Sequence, residues 1–237
     1  MIAFVYILVF NILFGYSEES TYNKSCVDVV ESPILMLNFY LMGKTEIDQE
    51  VILAIGDNVA YLNEEFEGKV KFELNKLFLE EKHRYLPDIY KSFKNKTRTH
   101  VKELVGDIEE SGAINVYLLE TYTEGSQNKA LMGFTPILTG KHRTYVFNSP
   151  RFDRMFIAYP GLQDKSTLVH EMGHFLGLSH PWEMNSIDKK LLGLNNESVL
   201  NENHMTYNFS VDSFTPQQLE RMQDFARKFR NYLLKSL

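Results

Sequence analysis

The chain has 237 residues, 44% hydrophobic and 13% aromatic, with a formal net charge of −6. That is enough for one medium domain with a real core, and without a basic stripe it excludes nucleic acid or an anionic membrane surface as the expected partner. The single cysteine, Cys26, excludes an intrachain disulfide.

Residues 2–14 are apolar except for Asn11, and Gly15 and Ser17 stand at −3 and −1 of a cut before Glu18. This is the form of a secretory signal peptide over 1–17, so a secreted protein is expected. Left uncleaved, the segment would serve as a membrane anchor, although a spanning helix needs about 20 residues. Sequons at Asn23, Asn95 and Asn196 accord with export. Residues 18–32 are a short polar leader or pro-segment, and 33–237 read as the folded domain.

PILMLNFYLM (33–42) reads as a strand. From Glu46 to Phe66, Ile47, Val51, Ile55, Leu62 and Phe66 follow helical spacing, and Gly68 ends that helix. KVKFELNKLFL (69–79) alternates as a half-buried strand does. Residues 85–110 read as helical with an interruption at Pro87, and INVYLL (114–119) as a strand after Gly112. ALMGFTPIL (130–138) contains Gly133 and Pro136, which suits an edge strand or bulge. MFIAY (155–159) is a short strand. Beyond residue 180 the chain reads as loop until Thr215-Pro-Gln-Gln218, a capping box with proline at the first helical position. Leu219, Met222, Phe225, Phe229 and Leu233 then stripe a terminal helix.

The chemistry is concentrated in HEMGHFLGLSH, residues 170–180. A helix advances ~100° per residue, so His170 and His174 fall within about 40° of one face and can close on one ion. Glu171 lies roughly 100° around, beside the ion, where it can take a proton from water held there. Gly177 tolerates the left-handed conformation that ends a helix, allowing the chain to bring in His180 as third ligand. Three neutral imidazoles suit zinc and leave a fourth position open, as catalytic sites require. At ordinary residue frequencies, H-E-x-x-H-x-x-G-x-x-H arises by chance in on the order of one chain in 10⁵ of this length, which weighs against three unrelated core histidines.

The segment matches the extended zinc signature of the metzincin metallopeptidases, which it resembles also in NHMTY (203–207), a Met-turn of M-x-Y form. NHMTYNFSVDSFTPQQLERM and VAYLNEEFEGKVKFEL (59–74) most resemble the pappalysin type, while GLSHP is equally similar to serralysins and matrixins. The resemblance implies an α+β, zincin-like domain with a twisted, mostly parallel sheet, backing and active-site helices and a cleft between an upper part (33–178) and a smaller lower part (179–237). It implies a zinc endopeptidase with Glu171 as general base, Met205 as hydrophobic floor and Tyr207 reaching the metal or the oxyanion. ALMGFTPIL would pair with a protein or peptide substrate in extended form. Cys26 or Asp28 could occupy the open zinc position and confer latency.

Two other readings stay open: a zinc hydrolase whose third ligand is Glu197 or Glu202, and a catalytically silent secreted zinc-binding module. His83, His100, His142 and His204 are read as surface or packing residues, and Trp182 as packing that fixes the loop or shapes the adjoining pocket.

Overall fold

The computed structural model describes residues 31–94, 112–121, 131–136, 154–206 and 213–235. Strand β1 (Ile34–Met42) is buried on both faces, with Leu35, Leu37, Phe39 and Leu41 on one and Asn38, Tyr40 and Met42 on the other. A strand this apolar needs cover on both sides. It pairs in parallel with β2 (Lys71–Glu80), whose half-exposed residues suit an edge, and with β3 (Ile114–Leu119). Strand β5 (Arg154–Ala158) continues the parallel set beyond β3. The two-residue β4 (Gly133–Phe134) closes the sheet antiparallel to β5, giving the order β2-β1-β3-β5-β4. The architecture is α+β with a mostly parallel five-stranded sheet, as expected.

The two faces of the sheet differ. One carries the aliphatic core beneath helix α1 (Gln49–Glu65), which buries Ile55, Val59 and Leu62. Asp48 caps α1 by accepting from the Glu50 N–H. Asn58 ties α1 to the turn that follows β5 by donating to the Leu162 carbonyl at 2.8 Å. The other face is an aromatic row. Phe78, Tyr40, Tyr117, Phe156 and Phe134, one ring from each strand, stack at centroid distances of 4.6, 4.8, 5.3 and 4.8 Å. Helix α2 (Leu86–Lys94) adds Leu86 and Ile89 to this side.

Pro87 does not interrupt α2. It lies in the first turn, where its missing N–H costs nothing. The remainder of 85–110 beyond Lys94 lies outside the described residues.

After β5 a 3-10 turn, Tyr159–Leu162, leads into helix α3 (Lys165–Phe175). The stretch beyond residue 180, expected as loop, contains two short helices, α4 (Ser186–Leu191) and α5 (Glu197–Asn201). Each is started by an asparagine: Asn185 accepts from the Asp188 N–H, and Asn196 from the Ser198 N–H. Their shortness hides them from periodicity. The terminal helix α6 (Pro216–Phe229) begins with the capping box intact, and Ser32–Leu237 form one compact unit. No helix among the described residues is long and apolar enough to cross a membrane.

Candidate metal centre

Helix α3 starts where the Asp164 carboxylate accepts from the Ser166 N–H and from the hydroxyls of Ser166 and Thr167. Ser166 through Phe175 are all buried, so α3 is a central helix without a solvent face. Small residues permit this. A Cβ on Gly173 would meet Met205 Sδ at 2.5 Å, and at Gly177, with φ +90°, one would meet the Phe225 ring at 2.6 Å. Arg230 closes the far end by stacking its guanidinium 4.1 Å from the Phe175 ring, a cation near the helix C-terminus.

His170, His174 and His180 converge, each offering one nitrogen, with those atoms all within 4.8 Å of one another. His174 Nε2 and His180 Nε2 are 3.1 Å apart. His170 Nδ1 lies 2.6 Å from the His204 carbonyl, and His174 Nδ1 2.9 Å from the Leu178 carbonyl. Because a carbonyl only accepts, both Nδ1 atoms carry the proton, and each Nε2 lone pair is left for a cation. His180 Nδ1 faces Glu183 at 3.5 Å, and its ring lies flat against Trp182 with centroids 4.3 Å apart.

The electrostatics favour neutral imidazoles. Burial pushes His170 down to about 4 and His174 to about 3, with the neighbouring histidines adding to both. His180 is lowered too, chiefly by burial, against the pull of Glu183. Two backbone-oriented imidazoles and a third that meets His174 edge-on and His170 at a tilt of 36° fit a divalent, nitrogen-preferring ion such as zinc.

Glu171 is 5% exposed, and its Oε2 has no hydrogen-bond partner among the described residues. Burial pushes its carboxyl up to about 8, against hydrogen bonding from Thr135. Edge strand β4 runs beside it: a Cβ on Gly133 would come 3.0 Å from Glu171 Cγ, and Thr135 Oγ1 donates to the Glu171 carbonyl at 3.0 Å.

Met205 is buried with its sulfur over Gly173, and the metal-ligating cluster among the described residues consists of the three histidines. Glu197 and Glu202 are not part of that cluster. Tyr207, Cys26 and Asp28 lie outside the described residues, as do His100 and His142.

The family model described as Pregnancy-associated plasma protein-A (Peptidase_M43) matches residues 180–227, a minority of the chain that starts at the third histidine and includes Met205. The match is a likeness to that metallopeptidase family over this segment, beside a three-histidine cluster able to hold zinc. Among solved structures, the chain is similar to metalloproteinase-II from Bacteroides fragilis, with 16% identity and a TM-score of 0.47 over 81% of this chain and 53% of that one. A structure described as a chaperone-substrate complex is 16% identical with a TM-score of 0.46, over 85% of this chain and 35% of that one. The chain thus spans about half the length of the first and about a third of the second. No curated protein matches the sequence.

Beside the histidine cluster, the residue that sequence reasoning underrated is His204. It is 2% exposed, its carbonyl accepts from His170 of the cluster, and its Nε2 lies 2.8 Å from Glu65 Oε2. Position beside the Met-turn was the available signal; the partner on α1 was not legible. The Met-turn is also gripped from the other side. Asn203 and Gln218 exchange amide hydrogen bonds at 2.7 and 3.1 Å, and Asn203 Oδ1 accepts from the Met205 N–H.

Proposed function

We propose that the chain is a secreted zinc endopeptidase that hydrolyses internal peptide bonds of protein substrates, with Glu171 as general base. The observation that carries this reading is a buried carboxyl with one oxygen unpartnered among the described residues, next in sequence to one of three converging imidazoles. A structural zinc site is normally closed by four protein ligands and has no use for such a group.

When bound, zinc supplies Lewis acidity toward the scissile carbonyl and lowers the pKa of water to roughly 7. His170, His174 and His180 hold it with neutral nitrogens. Glu171, protonated at neutral pH while the site carries no cation, is drawn back toward its ionised form by positive charge beside it. Its Oε2 then takes the proton of the attacking water and passes it to the leaving amine. A substrate in extended form would lie along β4, the terminal strand of the sheet, which passes Glu171. Tyr207 is proposed to stabilise the developing oxyanion, and Met205 to floor the site. The apolar leader supports export, with mature protein beginning at Glu18 and a membrane role only if the leader stays attached.

Glu171→Gln should keep stoichiometric zinc and lower kcat by roughly 10²- to 10⁴-fold on a denatured-protein substrate. An active, zinc-replete Glu171→Gln enzyme would remove the base from the scheme. Tyr207→Phe should reduce kcat with little change in KM. Chains starting at Glu18 and at Ser32 should differ in activity if Cys26 or Asp28 confers latency; equal rates rule that out.

A further inference from the structure

The two helix-borne histidines are oriented differently. His174 leans on the Leu178 carbonyl four residues on, which the end of its own helix fixes. His170 leans on the His204 carbonyl, 34 residues away on a separate turn. A remote carbonyl orients a ligand only if something anchors the turn that bears it.

That anchor is visible. The His204 side chain is wholly buried, and its Nε2 meets the carboxylate of Glu65, the last residue of α1, at 2.8 Å. The ring packs at 4.8 Å from the Phe214 ring and edge-on to Tyr61 at 6.5 Å. On the main chain, the His204 N–H donates to the Ser213 carbonyl at 3.2 Å. Residue 204 is therefore held by side chain, amide and carbonyl at once, each by a different segment.

We infer that Glu65 and His204 form a positioning clamp for the zinc ligand His170: the side-chain pair ties the Met-turn to α1, so that the His204 carbonyl stands where it keeps the His170 proton on Nδ1 and aims Nε2 at the ion. Glu65 lies outside the three-histidine cluster, and the clamp acts through its contact with His204. Outer partners of metal ligands typically change affinity 10- to 100-fold when removed. The inference rests on zinc being held by the three histidines, not on peptidase activity.

The test is zinc affinity of the full chain by chelator competition, with melting temperatures of zinc-free and zinc-saturated protein. Glu65→Ala should weaken zinc binding about tenfold and shrink the zinc-induced rise in Tm, because that rise follows affinity. Glu65→Gln, whose side-chain oxygen still accepts from His204 Nε2–H, should stay within about twofold of wild type. His204→Ala should match Glu65→Ala, and the double variant should be no weaker than either, since both break one link. Glu65→Ser gives the same reading should the alanine variant misfold. A pair that is merely structural would lower both melting temperatures equally and leave zinc affinity at the wild-type value, which overturns the clamp. Wild-type protein that takes up no zinc would instead overturn the metal site itself.

Discussion

His170 and His174 leave a buried helix, whereas His180 leaves a turn beyond its end, and the two regions hold their imidazoles by different means. The helix pair is oriented by backbone carbonyls at 2.6 and 2.9 Å. His180 is held by side chains: Glu183 at 3.5 Å and Trp182, itself 54% exposed. Backbone partners are already ordered by the fold, while side chains must give up rotamer freedom to do the same work. Two nitrogens are thus prearranged, and the third is completed locally.

The largest test of that contrast compares His174→Ala with His180→Ala. A four-ligand zinc site worth about 10–16 kcal/mol implies roughly 3 kcal/mol per ligand, or more than a hundredfold in affinity. His174→Ala should lose at least that much, and His180→Ala less. Equal losses by chelator competition would mean the turn is as prearranged as the helix.

Packing beneath the helix gives the next effect. Met205 Sδ already occupies the space where a Cβ at Gly173 would stand. Gly173→Ala should therefore destabilise the protein by about 1–3 kcal/mol despite alanine's better helix propensity, seen as a lower Tm. An unchanged or raised Tm would show that the Met-turn yields easily, and the helix region would lose its claim to be the rigid one.

The same contrast explains what could be read from sequence. The 170–180 motif has geometry in its spacing: i and i+4 share a helix face, and Gly177 turns the chain, so the convergence of the three histidines was legible together with the local fold. β1, β3 and β5 announced themselves by apolar runs, β2 by alternation, and α6 by its capping box. The 181–202 stretch was opaque because α4 and α5 are too short for a hydrophobic period to show. The Glu65–His204 contact spans 139 positions, and the aromatic row takes one ring from each strand. Such pairings exist only once the elements are packed against one another, so local spacing does not encode them.

A pH titration of the zinc-free protein sharpens the contrast further. Histidines lowered from 6.5 to about 4 and about 3 bind fewer protons in the folded than in the unfolded state. Their stability is full above pH 6.5 and is lost as pH falls through the range below it. Glu171, raised from 4.5 to about 8, has the opposite sign: its share is full below 4.5 and is lost as pH rises toward 8. Of these three groups, Glu171 dominates between 6.5 and 8, so its share of the stability should fall by about 1–2 kcal/mol there. Denaturant unfolding should show a maximum near or just below pH 6.5. Glu171→Gln should flatten the alkaline limb and steepen the acid one between 4.5 and 6.5, where Glu171 opposes the histidines; an alkaline limb that survives would assign it to another group. His180→Ala should spare most of the acid limb, because the helix pair carries the deeper shifts.

The smallest effect belongs to Trp182, the chain's one tryptophan. Its indole lies within 11° of parallel to the His180 ring. Ring pairs of this kind contribute about 0.5–1.5 kcal/mol beyond area burial, and the exposed outer face places this one toward the lower end. Trp182→Ala should therefore weaken zinc binding only a few-fold, and Trp182→Phe less, since a smaller ring can still stack. The effect should vanish in a His180→Ala background, where there is no ring to hold. If Trp182→Ala instead costs as much as losing His180 outright, the turn depends on that single stack for its shape, and the third ligand is the least secure part of the site rather than its local completion.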